Sequence, residues 1–394
     1  MIELRGQDTG ERAGEASRQE RIGRGRHPGG PAAGPGRATS SPPSCPAEAL
    51  DLSIFLILLQ DGIVNAAIYA VLALAMVLLF TVTRVIFVPI GEFVSFGALT
   101  LAALEAGKVP GTIWLLLLFG AAAAIVTLAA ERRNLSARVV LTTLAETIVL
   151  PLAIVALVIL LAPRKPGQVV QIGLALALTA PLGIYMYATV YRPLADASVL
   201  VLLIVSVALH LALVGLGLIF FGAEGSRTTP LSGTSFKLGD LLVTGQSLSV
   251  LAVAAALIVA LYLFFGRTLI GKALQATAVN RLGARLVGIS PAFSGRFAFG
   301  LAAVIGTLGG ILISPLTTIY YDTGFIIGLK GFVAAIIGGL VSYPLAAGAA
   351  ILVGVIESFA SFFASELKEV IVFMIIVPIL LIRSRGSLVL EDEE

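Results

Sequence analysis

Gly271-Lys-Ala-Leu-Gln-Ala-Thr-Ala-Val-Asn-Arg-Leu-Gly-Ala-Arg-Leu-Val-Gly-Ile-Ser290 lies between two long apolar runs, with Arg267 just before it and Arg296 just after. It carries Lys272, Arg281 and Arg285 and contains neither Asp nor Glu. A basic, weakly amphipathic segment held between membrane helices reads as a cytoplasmic loop. The spacing of Ala273, Leu274, Ala278, Leu282 and Leu286 predicts a short helix lying across the bilayer face rather than through it. Such a segment is either a surface on which a cytosolic engine can push, or a solvated basic loop that only sets topology.

Composition fixes the class around that loop. Hydrophobic residues make up 58% of the 394 residues and charged residues 12%, with a mean hydropathy of +1.02. Soluble domains carry roughly 25% charged residues. Repeated apolar runs of about 20 residues, each able to cross a hydrocarbon core of roughly 30 Å, predict an all-α polytopic bundle. Lone Cys45 forms no intrachain disulfide, and His27 and His210, the only histidines, offer no metal cluster. No cofactor is expected, and a net charge of +3 dispersed through loops does not point to nucleic acid.

From Leu52 onward eleven spans are expected, near 53–80, 86–105, 112–130, 139–161, 168–189, 197–221, 246–265, 297–318, 326–341, 345–363 and 367–383. Only Ser342, Tyr343 and Pro344 separate the ninth from the tenth, and the ninth is short, which suggests a re-entrant or broken helix shielded by its neighbours. With the Gly266–Arg296 loop inside, Arg84, Arg132, Arg133, Arg138, Arg192, Arg267, Lys272, Arg281, Arg285, Arg296, Arg383 and Arg385 share its side. Lys108, Arg164, Lys165, Arg227, Lys237 and Lys368 fall opposite, so twelve basic residues against six predict the N-terminus out and the C-terminus in.

The first fifty residues differ. They hold six Pro, nine Gly and seven Arg with no aromatic residue, a composition that predicts disorder. They lack the apolar core of a signal peptide, and read as a flexible tail or a start codon assigned too far upstream.

Gly266-Arg-Thr-Leu-Ile-Gly271-Lys272 matches the opening of a phosphate-binding loop, but Ala273 stands where Ser or Thr must hold Mg²⁺, and a membrane helix precedes it. The chain therefore shows no ATPase of its own. Glycines crowd the last third: Gly300, Gly306, Gly309, Gly310, Gly324, Gly328, Gly331, Gly338, Gly339, Gly348 and Gly354. Gly306 and Gly310 form a G-x-x-x-G pair that lets helix backbones approach, and tight packing accounts for most of the others. The cluster from Gly324 to Gly331 also contains Lys330, and is the best candidate for a helix break beside a solute path.

Glu92, Glu146, His210, Lys330 and Glu357 fall within apolar runs, where a charge costs about 2.5–3.5 kcal/mol near a helix centre on insertion scales. Each should face protein or water. Lys330 and Glu357 lie in neighbouring spans and can pair; Glu146 and His210 suit satisfied packing sites. No nucleophilic triad, carboxylate pair or H-E-x-x-H motif supports catalysis.

From Gly266 to the C-terminus the chain resembles the permease subunits of branched-chain amino-acid ABC transporters. Gly328-Leu-Lys-Gly-Phe-Val-Ala-Ala-Ile-Ile-Gly-Gly-Leu-Val-Ser-Tyr-Pro344, followed by Gly348, Gly354 and Glu357, is similar to that family's G-x-K-A-F-x-A-A-x-x-G-G-x-G-S-x-P run and its glycine-spaced helix. Tyr191-Arg-Pro-Leu194, Ile86-Phe-Val-Pro-Ile-Gly91-Glu92 and Tyr69-Ala-Val-Leu-Ala-Leu74 resemble upstream family segments, although Pro89 and Ile90 replace the polar residues the family places before Gly-Glu. Two spans near 112–161 look inserted, and an even number preserves orientation downstream.

The resemblance implies a permease domain over 51–390 in a bacterial plasma (inner) membrane, with 266–296 as its cytoplasmic coupling loop. It implies two ABC ATPase subunits, a second permease (related or identical) and an extracytoplasmic substrate-binding protein as partners, and no catalysis by this chain. Lys272, Arg281 and Arg285 would hold the loop at the ATPase and the anionic leaflet, while Ala278, Gly283, Ala284 and Gly288 would allow close docking. Glu92, Gly324, Gly328, Lys330, Gly338, Gly339 and Glu357 would line the path or break its helices. The same class admits urea, amides or other small polar solutes. A secondary transporter coupled to ions through Glu92, Lys330 or Glu357 is the competing class.

Overall fold

The computed structural model describes residues 52–132, 136–238, 241–379 and 381. The expected N-terminal tail, Arg133, Arg383 and Arg385 lie outside the described residues. The helices run in order as α1 (Leu52–Thr83), α2 (Ile90–Glu105), α3 (Thr112–Ala130), α4 (Ala137–Leu144), α5 (Leu150–Leu161), α6 (Gln168–Met186) and α7 (Val199–Phe221). A two-stranded antiparallel hairpin, β1 (Ser235–Leu238) and β2 (Leu241–Thr244), follows. Then come α8 (Gly245–Arg267), α9 (Leu269–Val279), α10 (Arg281–Leu286), α11 (Pro291–Ile313), α12 (Thr323–Ile337), α13 (Tyr343–Phe363) and α14 (Lys368–Met374).

The chain is an all-α polytopic membrane bundle. By length and composition, eight of the described helices can cross a membrane: α1, α3, the continuous α4–α5, α6 with its C-terminal turns, α7, α8, α11 and α13. The expected spans 86–105 and 326–341 fold as shorter helices of 16 and 15 residues, and within 367–383 α14 is followed, after Ile375, by a further helical turn over 376–379. At 1.5 Å per residue the first two fall short of a roughly 30 Å core. They lie buried against α1, α11 and each other instead.

α1 is the spine. From Ala66 to Leu79 nearly every side chain is buried, and it packs along α13, α11, α12 and α8. Small residues set that closeness: a Cβ at Gly354 would sit 2.6 Å from the Gly62 carbonyl oxygen. On α11 a Cβ at Gly310 would overlap the Val94 carbonyl of α2, so the glycine pair is used to seat α2. Two motif aromatics meet beside that seam: Phe87 and Tyr191 each place their rings 4.9–5.8 Å from Phe299 or from one another, and the Tyr191 hydroxyl bonds Ser206 at 2.9 Å.

Two π turns have a common cause. Ala145–Val149 precedes Pro151 and Tyr187–Tyr191 precedes Pro193, and each proline withdraws an N–H from the helical ladder. At the first turn the Glu146 carbonyl accepts from the Tyr185 hydroxyl at 2.6 Å, fastening α4–α5 to α6.

Candidate functional site

Three polar constructions stand out, one at an end of the bundle and two inside it. At the end where α1 finishes, α8 runs almost directly into α9. Thr268 makes the corner: its hydroxyl donates to the Phe264 carbonyl at 2.7 Å and accepts from the Gly271 N–H at 2.9 Å, capping α9. The single helix expected here is two. Asn280 adopts an extended conformation and its side chain accepts from the Gly283 N–H at 2.9 Å, ending α9 and starting α10. Gly288, at φ +84°, then turns the chain toward α11.

This crossbar is fastened to the helix ends beneath it. Thr277 and Ser294 share a buried hydroxyl–hydroxyl bond of 2.9 Å, tying α9 to the first turn of α11. Arg281 Nη2 donates to the Val82 carbonyl at 3.0 Å, satisfying an end carbonyl of α1 where the helix dipole also favours a cation. Leu274 and Ala284 turn inward and are buried. Leu269, Val279, Leu282, Leu286 and Val287 face outward, each at least two-thirds exposed, with Lys272, Arg285 and Gly288 exposed beside them. Ala278 and Gly283 are half-buried. The predicted apolar stripe is thus split between two faces, and Ala284 belongs to the inner one.

Beneath α10 a cleft of about 400 Å³ is lined by Tyr187, Tyr191, Arg192, Asp196, Arg281 and Arg285. Burial lowers the Arg281 pKa below its ordinary value; Arg84 and Arg285 push the same way, against Tyr187 and Asp196.

Inside the bundle, Lys330 of α12 is 4% exposed. Its Nζ donates to Glu357 Oε1 at 2.6 Å and to Glu369 Oε1 at 3.1 Å, joining α12 to α13 and α14. The Tyr69 hydroxyl of α1 donates to Glu357 Oε2 at 2.6 Å, and the Tyr69 ring lies 5.9 Å below the ammonium. Four helices therefore meet on one cation.

Glu92 does not join them. It lies buried in the first turn of α2, where free helix N–H groups favour an anion, and bonds His210 Nδ1 of α7. The imidazole stacks on Phe325 with centroids 4.0 Å apart. One residue away, the N-termini of α2 and α12 touch: a Cβ at Gly324 would overlap the Gly91 carbonyl, and one at Gly328 would sit 2.8 Å from Gly91 Cα. Ser95 clamps the contact, accepting from the Gly324 N–H at 2.7 Å and donating to the Tyr320 carbonyl at 3.1 Å. Gly338 and Gly339 end α12, with Gly339 at φ +73°.

The sequence-nominated residues thus fall into separate groups. Lys330 and Glu357 form one buried pair, Glu92 forms another with His210, and Gly324 and Gly328 hold two short helices together. Glu146 is largely exposed, 3.7 Å from Arg296. Tyr69, Glu369 and Ser95 were not singled out; Tyr69 stands in a quoted family segment, but nothing local to it signals a carboxylate partner 288 residues away.

Residues 144–380 match the family described as branched-chain amino acid transport system / permease component. The high-affinity branched-chain amino acid transport system permease protein BraD of Pseudomonas aeruginosa is 26% identical over 221 residues, 54% of this chain and 72% of that protein. The corresponding protein LivH of Escherichia coli K12 is 26% identical over 209 residues, 50% and 67% of the two chains. The autoinducer 2 import system permease protein LsrC of Yersinia enterocolitica is 31% identical over 119 residues, 30% and 32%. No solved structure matches the chain.

Proposed function

The chain belongs to the family of branched-chain amino acid transport system permease components, and from that premise we propose that it is the path-forming subunit of an ABC importer for branched-chain or related amino acids. Two cytoplasmic ATPase subunits drive it, a second permease completes the path, and an extracytoplasmic binding protein delivers the solute. Residues 51–390 form the permease body, 266–296 its coupling loop, and 112–161 a two-helix addition packed on α6. The body sits in the bacterial plasma membrane with the coupling loop inside.

The observation that carries this reading is the construction of α9–α10. Its inner face is pinned by Thr277–Ser294 and by Arg281 to the Val82 carbonyl, while its outer face offers apolar side chains flanked by Lys272 and Arg285. A solvated loop needs no such fastening. Force on the outer face reaches α1 through Arg281 and α11 through Ser294. α1 in turn carries Tyr69, and with it the Glu357–Lys330 junction. Lys272 and Arg285 also suit an anionic leaflet or an acidic docking groove.

The test is uptake of radiolabelled L-leucine by cells producing the complete complex, with tagged permease recovered in detergent. Vanadate-sensitive uptake and co-purification of two ATPase subunits support the proposal. Uptake abolished by a protonophore and indifferent to vanadate, with no ATPase recovered, replaces it with an ion-coupled transporter.

A further inference from the structure

Between the first half of α1 and the last turns of α13 lies a pocket of about 380 Å³, at the end of α1 remote from α9–α10. This is at the small end of the roughly 300–1,000 Å³ range of small-molecule sites. Glu357 reaches its floor, but both its oxygens are already engaged by Lys330 and Tyr69. Ser358 is turned aside, its hydroxyl donating to the Leu58 carbonyl at 2.7 Å.

The remaining polar groups are uncommitted. Asp61, Asn65 and Lys368 line the pocket, and among the described residues none of their side chains makes an ion pair or hydrogen bond. Asp61 and Lys368 are opposite in charge and share the pocket without closing on each other. Leu58 and Phe362 add an apolar wall. Asp61 is exposed and Lys368, the first residue of α14, is half-buried, so both charges are open to a ligand, and one that pairs with both at once gains two charge-assisted contacts where a single ion gains one.

We infer that this pocket recognises a zwitterionic α-amino acid with an apolar side chain, as the entry site of the path. The α-ammonium faces Asp61, the α-carboxylate faces Lys368 with Asn65 beside them, and the side chain lies on Leu58 and Phe362. The inference rests on the importer reading and deepens it, since the pocket opens where a solute delivered from outside would arrive.

The experiment is equilibrium binding of radiolabelled L-leucine to the full chain in lipid nanodiscs, with 3-methylbutylamine and 4-methylpentanoate as competitors lacking the carboxylate and the ammonium respectively. Both competitors should bind at least about tenfold more weakly than leucine, the loss of one charge-assisted contact. Asp61→Asn and Lys368→Gln, each eluting as a monodisperse species, should weaken leucine by a similar factor. Asp61→Asn should leave 4-methylpentanoate unaffected, and Lys368→Gln should leave the amine unaffected. Absence of leucine binding to the wild-type chain, an amine as tight as leucine, or unchanged leucine binding in both variants overturns the inference. Its failure is distinguishable from failure of the importer reading: vanadate-sensitive uptake that both variants support at wild-type rates removes the pocket alone, whereas charge-selective leucine binding without any ATPase partner leaves the pocket and removes the importer.

Discussion

Lys330 and Glu357 meet at 2.6 Å inside the bundle, and the same ammonium holds Glu369 at 3.1 Å. One cation thus serves two carboxylates, so the cluster responds unequally to loss of its members. Lys330→Met strands the buried Glu357 and the half-buried Glu369 and should cost about 3–5 kcal/mol, the scale of breaking a buried pair from one side. Glu357→Gln leaves Lys330 paired with Glu369 and keeps an acceptor for Tyr69; about 1–3 kcal/mol is expected. Thermal denaturation in detergent, followed by size-exclusion fluorescence, should rank Lys330→Met well below Glu357→Gln. Equal losses would mean that Glu369 contributes nothing.

Gly324→Ala should separate α2 from α12, because the added methyl overlaps the Gly91 carbonyl and crowds Ser95. A cost of about 1–3 kcal/mol follows from overpacking. Gly348 on α13 meets nothing within 4 Å, so Gly348→Ala is the matched control and should leave stability unchanged or raise it by up to about 1 kcal/mol through helix propensity. The same melting assay decides between them.

Arg281→Ala should uncouple rather than unfold. It removes the donor to the Val82 carbonyl at the accessible end of α1, so the chain should insert and retain its ATPase while leucine uptake falls by about tenfold, the effect of roughly 1.4 kcal/mol. Arg281→Lys keeps a donor and a charge and should lose less. Normal uptake in Arg281→Ala would show that α10 is not linked to α1 through this bond.

Accessibility gives a further prediction. Val279 is 87% exposed, whereas Thr277 beside it is buried and bonded to Ser294. A cysteine at Val279, in a chain with Cys45→Ser, should resist an impermeant maleimide in intact cells and react in inside-out vesicles. A cysteine at Thr277 should react slowly in both.

Much of this architecture is legible in the residues. Apolar runs mark the helices, and Lys330 and Glu357 announce themselves as charges in adjacent hydrophobic spans that need each other. The pairing of Glu92 with His210 is not local: it depends on how α11, through Gly310 and Gly306, seats α2 at a particular depth beside α7. The crossbar was read as one helix because its apolar spacing continues across Asn280. The break is carried by a capping preference at Asn280, which a period-based reading overlooks. The resemblance placed Ala284 among the docking residues, whereas the corner at residue 280 turns it inward and buries it.

The central claim is that an ATPase bears on the outer face of α9–α10, and a photo-crosslinking residue at Leu286, which is 81% exposed, tests it most directly. Irradiation of whole membranes should yield one adduct whose added mass is an ATPase subunit, lost when the same probe replaces buried Leu274. Adducts at Leu286 only with lipid or with an extracytoplasmic protein would contradict the account.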